Sequence, residues 1–358
     1  MDKFTSKHLA FIILGTAIVS LKTYPAIYMK SGGRDSWIAI IISSALIMFY
    51  FLYILHICRK TNNFNFCSIY KNALGNILGT IFILFFIFTL ILTLVESSSV
   101  EASSMHINML LLNPPWTFLV MFILPALYTV KKGKTSIIIV TLIGITLIMF
   151  AGINLSILTA KYKKFKYLFP VFENGLTLGF FYSILKALGM YGSLAIVLPY
   201  LNEIQDKLKI KRDSIVALII LVQMEIIAAT GVIMTFGIDR ANVLSYPKLI
   251  QTQLVSYFGF LENGELYVML QIVGGWFIKY VLTFYSISLV LKELNIKNKY
   301  IDYVITLLVL IISFYCSKNL FTLFKLLDYY VYICLANFIV FPLIIISIFY
   351  IKATASST

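Results

Sequence analysis

The sequence predicts an all-α integral membrane protein with ten transmembrane helices, and three observations carry that expectation. Hydrophobic residues fill 60% of the 358 positions and charged residues only 12%, about half the charged share of a soluble domain. A soluble fold of this size could not cover its surface with so few charges. Apolar stretches of roughly the 20 residues that cross a bilayer recur ten times, at 8–29, 37–57, 77–104, 115–130, 136–158, 177–200, 214–237, 265–291, 301–317 and 329–351. The stretches between them are too short for a separate soluble domain. The expected organisation is therefore one membrane domain, with five helices in 1–160, five in 161–351, and a short polar tail at 352–358.

The first span follows the basic start Met1-Asp2-Lys3-Phe4-Thr5-Ser6-Lys7-His8. No clean small-x-small cleavage site follows it, so it reads as a retained helix rather than a signal peptide. Its middle holds Gly15-Thr16-Ala17-Ile18 and its end reaches Pro25. The third span carries the polar run from Glu96 to Ser104. The sixth reads Lys186-Ala187-Leu188-Gly189-Met190-Tyr191-Gly192-Ser193 and ends near Pro199, and the eighth carries Gly274-Gly275-Trp276-Phe277-Ile278-Lys279.

The formal net charge is +14. A basic balance can indicate nucleic acid, an anionic membrane face or an acidic substrate. No basic domain exists to present a nucleic-acid footprint, so that class is excluded. Sixteen basic residues, Lys297 and Lys299 among them, fall in loops on the N-terminal side, and eleven fall on the other. The positive-inside rule then puts both termini in the cytoplasm, where anionic lipid headgroups attract the excess. The cluster Lys161, Lys163, Lys164 and Lys166 lies on the opposite side and argues the other way.

Cys58, Cys67, Cys316 and Cys334 are scattered, which points to packing rather than to a metal site or a disulfide framework. His8, His56 and His106 lie near span ends. No phosphate loop, zinc-protease motif or nucleophile elbow is present. Neither a cofactor nor an enzymatic activity is expected.

Five charged side chains fall inside spans: Glu96, Glu101, Lys186, Glu225 and Lys279. A charge at that depth is costly and faces the bundle interior or water. At about 100° per residue Glu96 and Ser99 share a face, whereas Glu101 points elsewhere. Two readings are open. Glu96 and Ser99 meet a ligand's ammonium, a proton or Na⁺; or Glu96 or Glu101 forms a structural ion pair with Lys186 or Lys279. Lys279, about a turn after Trp276, can also snorkel to an interface. The small residues at 15–18 and 189–193 carry two readings as well. They unwind the helix and free backbone groups for a ligand, or they only let helices pack closely.

Several segments resemble the spore germination permease family, the B subunits of nutrient germinant receptors, within the amino acid–polyamine–organocation superfamily. The matching residues are Gly15-Thr16-Ala17-Ile18 with Pro25, Gly32-Gly33-Arg34-Asp35-Ser36-Trp37, Leu74-Gly75-Asn76-Ile77-Leu78-Gly79 and Asn113-Pro114-Pro115. Further on come Leu168-Phe169-Pro170-Val171-Phe172-Glu173-Asn174-Gly175, Leu198-Pro199-Tyr200-Leu201, and Phe236-Gly237 with Tyr246-Pro247. The resemblance implies a LeuT-like 5+5 inverted repeat with helices one and six broken around a mid-membrane amino-acid site. It also implies the inner membrane of a bacterial endospore and two partners, a membrane A subunit and a C-subunit lipoprotein. Ala17 stands where the superfamily often has a second glycine.

The expected function is a receptor subunit that senses a small amino acid or similar nutrient; an H⁺- or Na⁺-coupled amino-acid transporter is the alternative. The candidate binding set is Gly15, Thr16, Ala17, Ile18, Glu96, Ser99, Lys186, Gly189, Tyr191, Gly192 and Trp276. In it, the ligand carboxylate meets the amides at 15–18 and the ammonium faces the polar side of the cavity.

Overall fold

A computed structural model of the protein describes residues 3–173, 175–257, 261–262, 265–296, 298 and 300–355. Met1, Asp2, Asn174, Lys297, Lys299 and tail residues 356–358, all within segments named above, lie outside them. The described chain is built of helices, with one two-residue ladder pairing Ser256–Tyr257 with Leu261–Glu262. Helices are the expected solution, because hydrocarbon offers no partner for an unpaired backbone group.

In chain order the helices are α1 (Ser6–Ala17), α2 (Ser20–Thr23), α3 (Ala26–Gly32), α4 (Ser36–Lys60), α5 (Phe66–Leu74), α6 (Asn76–Asn108), α7 (Pro115–Lys131) and α8 (Lys134–Leu158). Next come α9 (Leu178–Tyr191), a 3₁₀ segment (Gly192–Glu203), α10 (Ile210–Phe236), α11 (Ile238–Val243), α12 (Pro247–Gln253), α13 (Glu265–Glu293) and α14 (Ile301–Ser317). The last stretch is α15 (Leu320–Cys334), a π turn (Leu335–Val340) and α16 (Phe341–Ala355). Among the described residues, seven stretches are long and apolar enough to cross a membrane: Ala26–Lys60, Asn76–Asn108, Lys134–Leu158, Leu178–Glu203, Lys207–Phe236, Met269–Glu293 and Leu320–Ala355. Pro115–Lys131 and Ile301–Ser317 are apolar but shorter.

Local chemistry sets the boundaries. Asn65, Thr177 and Asn319 accept backbone N–H bonds at the starts of α5, α9 and α15, the role of an N-cap. Gly75 and Gly237, at φ of 83° and 71°, turn the chain where α5 meets α6 and where α10 ends, a conformation that favours glycine. Two expectations need correcting. The amphipathic α5 was not anticipated, because it is too short and too polar to register as a span. The last apolar stretch begins at Leu320, not 329, so Asp328 lies within it.

Large apolar side chains such as Phe88, Ile143, Ile153 and Phe321 stand exposed on outer helix faces. In water that would be a liability; against lipid it is the expected surface. The core is the opposite faces of these helices, with Trp276, Tyr24, Tyr191 and Tyr280 among its largest buried members.

Both expected breaks exist, displaced from the residues proposed for them. α1 stays helical through Ala17; Ile18 and Val19 form the break, and a second interruption falls at Tyr24-Pro25. Thr16 Oγ1 bonds back to the Ile13 carbonyl at 3.1 Å and the Ile18 amide to the Leu14 carbonyl at 3.2 Å, so the Ile18 amide is already committed to the helix. Gly15 serves packing: a Cβ there would lie 2.7 Å from Ile278 and 2.9 Å from Leu282, both on α13. In the sixth span the α-helix ends at Tyr191 and continues as twelve residues of 3₁₀ helix. Runs beyond three or four residues are uncommon and often mark hinges. Gly189 and Gly192 let this transition sit against α15 and the π turn. A Cβ on Gly189 would meet the Val331 carbonyl oxygen at 2.1 Å, and one on Gly192 the Cys334 carbonyl oxygen at 3.2 Å.

The two interrupted stretches are tied together at one end. The Gln205 amide donates to the Phe4 carbonyl at 3.1 Å. The Ser6 amide donates to Asp206 Oδ1 at 2.6 Å, and Ser6 Oγ lies 2.7 Å from Asp206 Oδ2 and 2.6 Å from Asp213 Oδ2. Phe4 packs edge-on against Tyr200 at 5.6 Å. Glu203 beside them accepts bonds from both Lys134 and Lys292.

Two outcomes follow from this packing. Gly189→Leu should lower stability by about 2 kcal/mol or more, because backbone rather than a flexible side chain fills the space. Gly274→Ala should be near neutral, since its nearest neighbours lie 3.8 and 3.9 Å away; thermal unfolding in detergent compares the two. Partial burial works to raise the Asp206 carboxyl, but the Ser6 hydroxyl and amide, with Lys209 nearby, hold it below the usual range. The tie should therefore be at full strength above the ordinary aspartate pKa of about 4 and weaken as pH falls through the depressed value. Asp206→Asn should loosen residues 3–6 at neutral pH, read as faster amide exchange of the N-terminal peptide.

Candidate functional site

A buried polar cluster forms around Glu96, where four separate stretches of chain converge. α6 supplies Glu96, the Ile18–Val19 break delivers Ser20 on α2, the second interruption presents Tyr24, α13 brings Lys279 and α15 brings Tyr330. Glu96 Oε2 lies 2.6 Å from Lys279 Nζ, with each side chain only 1% exposed. The same oxygen accepts the Tyr330 hydroxyl at 2.9 Å. Oε1 accepts Ser20 Oγ at 3.0 Å and the Tyr24 hydroxyl. Lys279 Nζ also donates to Ser20 Oγ at 2.6 Å, and Tyr330 shares a 2.9 Å bond with Thr93.

The carboxylate thus receives four donors, the partners that a buried charge needs. Trp276 closes one side, its ring nearly parallel to Tyr24 with centroids 6.1 Å apart. The Lys279 ammonium lies 5.1 Å from a Trp276 ring centroid, within cation–π range. Trp276 Nε1 and the Tyr280 hydroxyl are buried without a hydrogen-bond partner among the described residues.

Of the eleven candidate residues, Glu96 and Trp276 belong to this cluster. Ser99 is fully buried on the same helix, but its hydroxyl has no partner among the described residues. Gly15, Thr16 and Ala17 precede the break, Ile18 opens it with its amide bonded to Leu14, and Gly189 and Gly192 are contact glycines. The Tyr191 hydroxyl lies 2.7 Å from Ser44 Oγ on α4. Lys186, expected near the site, is instead 2.7 Å from Asp328, a carboxylate 44% exposed. The reason is register: Lys186 meets Asp328, which lies two residues and so about 200° around α15 from Tyr330, the residue that faces Glu96.

Lys279, open to a snorkelling reading, is instead the buried partner of Glu96, so one of the ion pairs allowed by the sequence is formed. Glu101 is separate, buried with Oε2 unpartnered among the described residues. Ser20, Tyr24 and Tyr330 were missed. Ser20 and Tyr24 sit directly beside the two interruptions of the first span, a signal that was available; Tyr330 had none. The four cysteines are all buried and free.

The pair can be tested by its asymmetry. Glu96→Gln leaves the Lys279 ammonium buried without a counter-charge and should cost about 3–5 kcal/mol. The double variant Glu96→Gln, Lys279→Met should recover much of that loss. A thermal-unfolding cycle showing additive effects would refute the coupling.

Comparison with known proteins places this geometry. A family model described as spore germination protein matches residues 3–322. The chain is also similar to spore germination protein XB of Bacillus anthracis, at 23% identity over 310 residues that make up 86% of each chain. Extending over nearly all of the chain, the family match shows that it belongs to the spore germination protein (spore permease) family.

Proposed function

We propose that the protein is the B subunit of a nutrient germinant receptor and senses a small amino acid at the Glu96–Lys279 pair. The observation that carries this reading is a matched pair of opposite charges, buried beside a helix interruption. A zwitterionic amino acid bears the same two charges. Its ammonium can take the place of Lys279 at Glu96 while its carboxylate takes the place of Glu96 at Lys279, so one ion pair becomes two. The ligand then separates α6 from α13, and Ser20 and Tyr24 follow because they are bonded to the pair. Different affinity for the closed and opened packings is what lets a ligand shift the receptor's state. This assignment moves the carboxylate from the amides at 15–18 to the ammonium of Lys279, because α1 is helical through Ala17 and the Ile18 amide is already bonded to the Leu14 carbonyl.

In the same proposal the bundle crosses the membrane ten times as a LeuT-like 5+5 repeat of residues 1–160 and 161–351. The first crossing is α1 to α3 and the sixth is α9 with its 3₁₀ extension. Both termini face the cytoplasm in the inner membrane of the endospore, and the partners are an A subunit and a C-subunit lipoprotein. No enzymatic role is proposed. Support comes from the two interrupted stretches in corresponding places and from membership of a germination family.

A second reading, an ion-coupled amino-acid transporter, is favoured by Glu101 and Glu225, each buried with one carboxylate oxygen unpartnered among the described residues. Such a group suits proton carriage.

A thermal-shift screen of the purified protein against the standard amino acids should find one that stabilises saturably, by about 2.7 kcal/mol at a hundredfold excess over Kd. The response should vanish in the Glu96→Gln, Lys279→Met variant. No response to any amino acid would overturn the sensing site. Accumulation of labelled ligand by proteoliposomes holding this chain alone would favour the transporter.

A further inference from the structure

A second cationic region lies away from the Glu96 cluster, in a cavity of about 590 Å³ between α8 and α10. That volume falls in the range of small-molecule sites, roughly 300–1,000 Å³. Its apolar walls come from α8 (Met149, Ile153, Ile157) and α10 (Ile220, Met224, Ile227), and its polar end holds Lys22, Lys248, Gln223 and Gln271. Ile153, Ile157 and Ile227 are 60%, 65% and 44% exposed, so the mouth opens among side chains that face lipid. Gly152 keeps the wall thin: a Cβ there would meet Gln271 Nε2 at 3.1 Å and Met224 at 3.7 Å.

The polar end is positively charged beyond what surrounds it. Among the described residues the half-buried Lys22 ammonium has no hydrogen-bond or ion-pair partner. Lys248 Nζ donates only to the neutral Gln251 Oε1, at 2.8 Å. Lys163 interacts electrostatically with Lys248, and its own ammonium donates to the Ser156 carbonyl at 3.1 Å. Among the described residues, the carboxylate that interacts with this group is the buried Glu225. Lys22 and Lys248 therefore share one carboxylate, and the Lys163 ammonium adds a third positive charge beside Lys248. Burial, then the ammoniums of Lys163 and Lys22, push the Lys248 pKa down to about 7, with Glu225 opposing. A second, much smaller cavity of about 20 Å³ shares Lys22, Lys248 and Gln271 with it and is also lined by Ile18 and Val19, the residues that interrupt the first span.

We infer that this cavity binds an anionic lipid, its headgroup beside Lys22 and Lys248 and one acyl chain between α8 and α10. Charge complementarity selects the anion, and the apolar mouth admits it from the bilayer rather than from water. An occupant at the polar end adjoins Val19, one residue from Ser20, and so borders the interruption that delivers Ser20 to Glu96.

The test uses the full chain in detergent, titrated with phosphatidylglycerol or with phosphatidylcholine of the same acyl chains. Native mass spectrometry reads bound lipid and thermal unfolding reads stabilisation. Phosphatidylglycerol should form a saturable single adduct with a preference of roughly tenfold or more, the scale expected of two lysines acting on one headgroup. Lys22→Gln with Lys248→Gln should erase the preference, and Gly152→Leu should remove the adduct while both lysines remain. Equal retention of the two lipids, or a preference that survives the double lysine change, would overturn the inference. So would full reproduction of the shift by soluble glycerol phosphate, which would assign the site to a free anion. Should the variants fail to fold, phosphatidylglycerol with a photoreactive acyl chain is used on the unaltered protein. Labelling of 149–160 and 220–228 supports the site, and labelling confined to other segments refutes it.

Discussion

The bundle is organised around one electrostatic constraint: Glu96 and Lys279 are each almost wholly removed from solvent, and neither charge is tolerable there alone. Everything near them answers to that condition. Four donors converge on the carboxylate, and Ser20 both donates to Glu96 and accepts from Lys279. Because these groups come from α2, α6, α13 and α15, satisfying one carboxylate holds together elements far apart in sequence. The pair works less as a source of stability than as a lock, since a buried pair often repays little more than its own desolvation.

The helix interruptions make that lock possible. A continuous helix would keep Ser20 and Tyr24 in the register of α1, whereas the turns at Ile18–Val19 and Tyr24-Pro25 re-aim them toward Glu96. The glycines near the breaks do something different. Gly15, Gly189 and Gly192 have no side chain where another helix's side chain or backbone passes, so they set how closely α13 and α15 approach. Unwinding and close packing, weighed as alternatives from the sequence, are neighbouring devices within the same two spans.

The charges at membrane depth divide in the same way. Glu96 and Lys279 neutralise each other completely, and Lys186 finds Asp328 nearer the surface. Around Lys22, Lys248 and Lys163 the balance is left positive, in a cavity whose mouth faces lipid. The chain's net +14 is therefore more than a topological signal along the loops; part of it is concentrated in one partly enclosed place.

Class and element order were legible because they rest on short-range properties. Apolar stretches and charged residues inside spans are readable from composition and spacing, and the described helices fall within a few residues of the expected ranges apart from the interrupted first span and the start of the last. Glu96 and Trp276 were legible as candidates because a charge or a large ring at that depth needs a reason. The pairing was not. Spacing along one helix states which residues share a face, but nothing in it says which face of α13 or α15 will oppose α6; that depends on how closely Gly15 and Gly189 let the helices approach. Lys279 and Tyr330 joined the site, and Lys186 met Asp328 instead, through the register in which these helices face one another. The cationic cavity is a stronger case still, since Lys22, Lys163 and Lys248 lie in three separate segments that only the folded bundle brings to one end of a gap between α8 and α10.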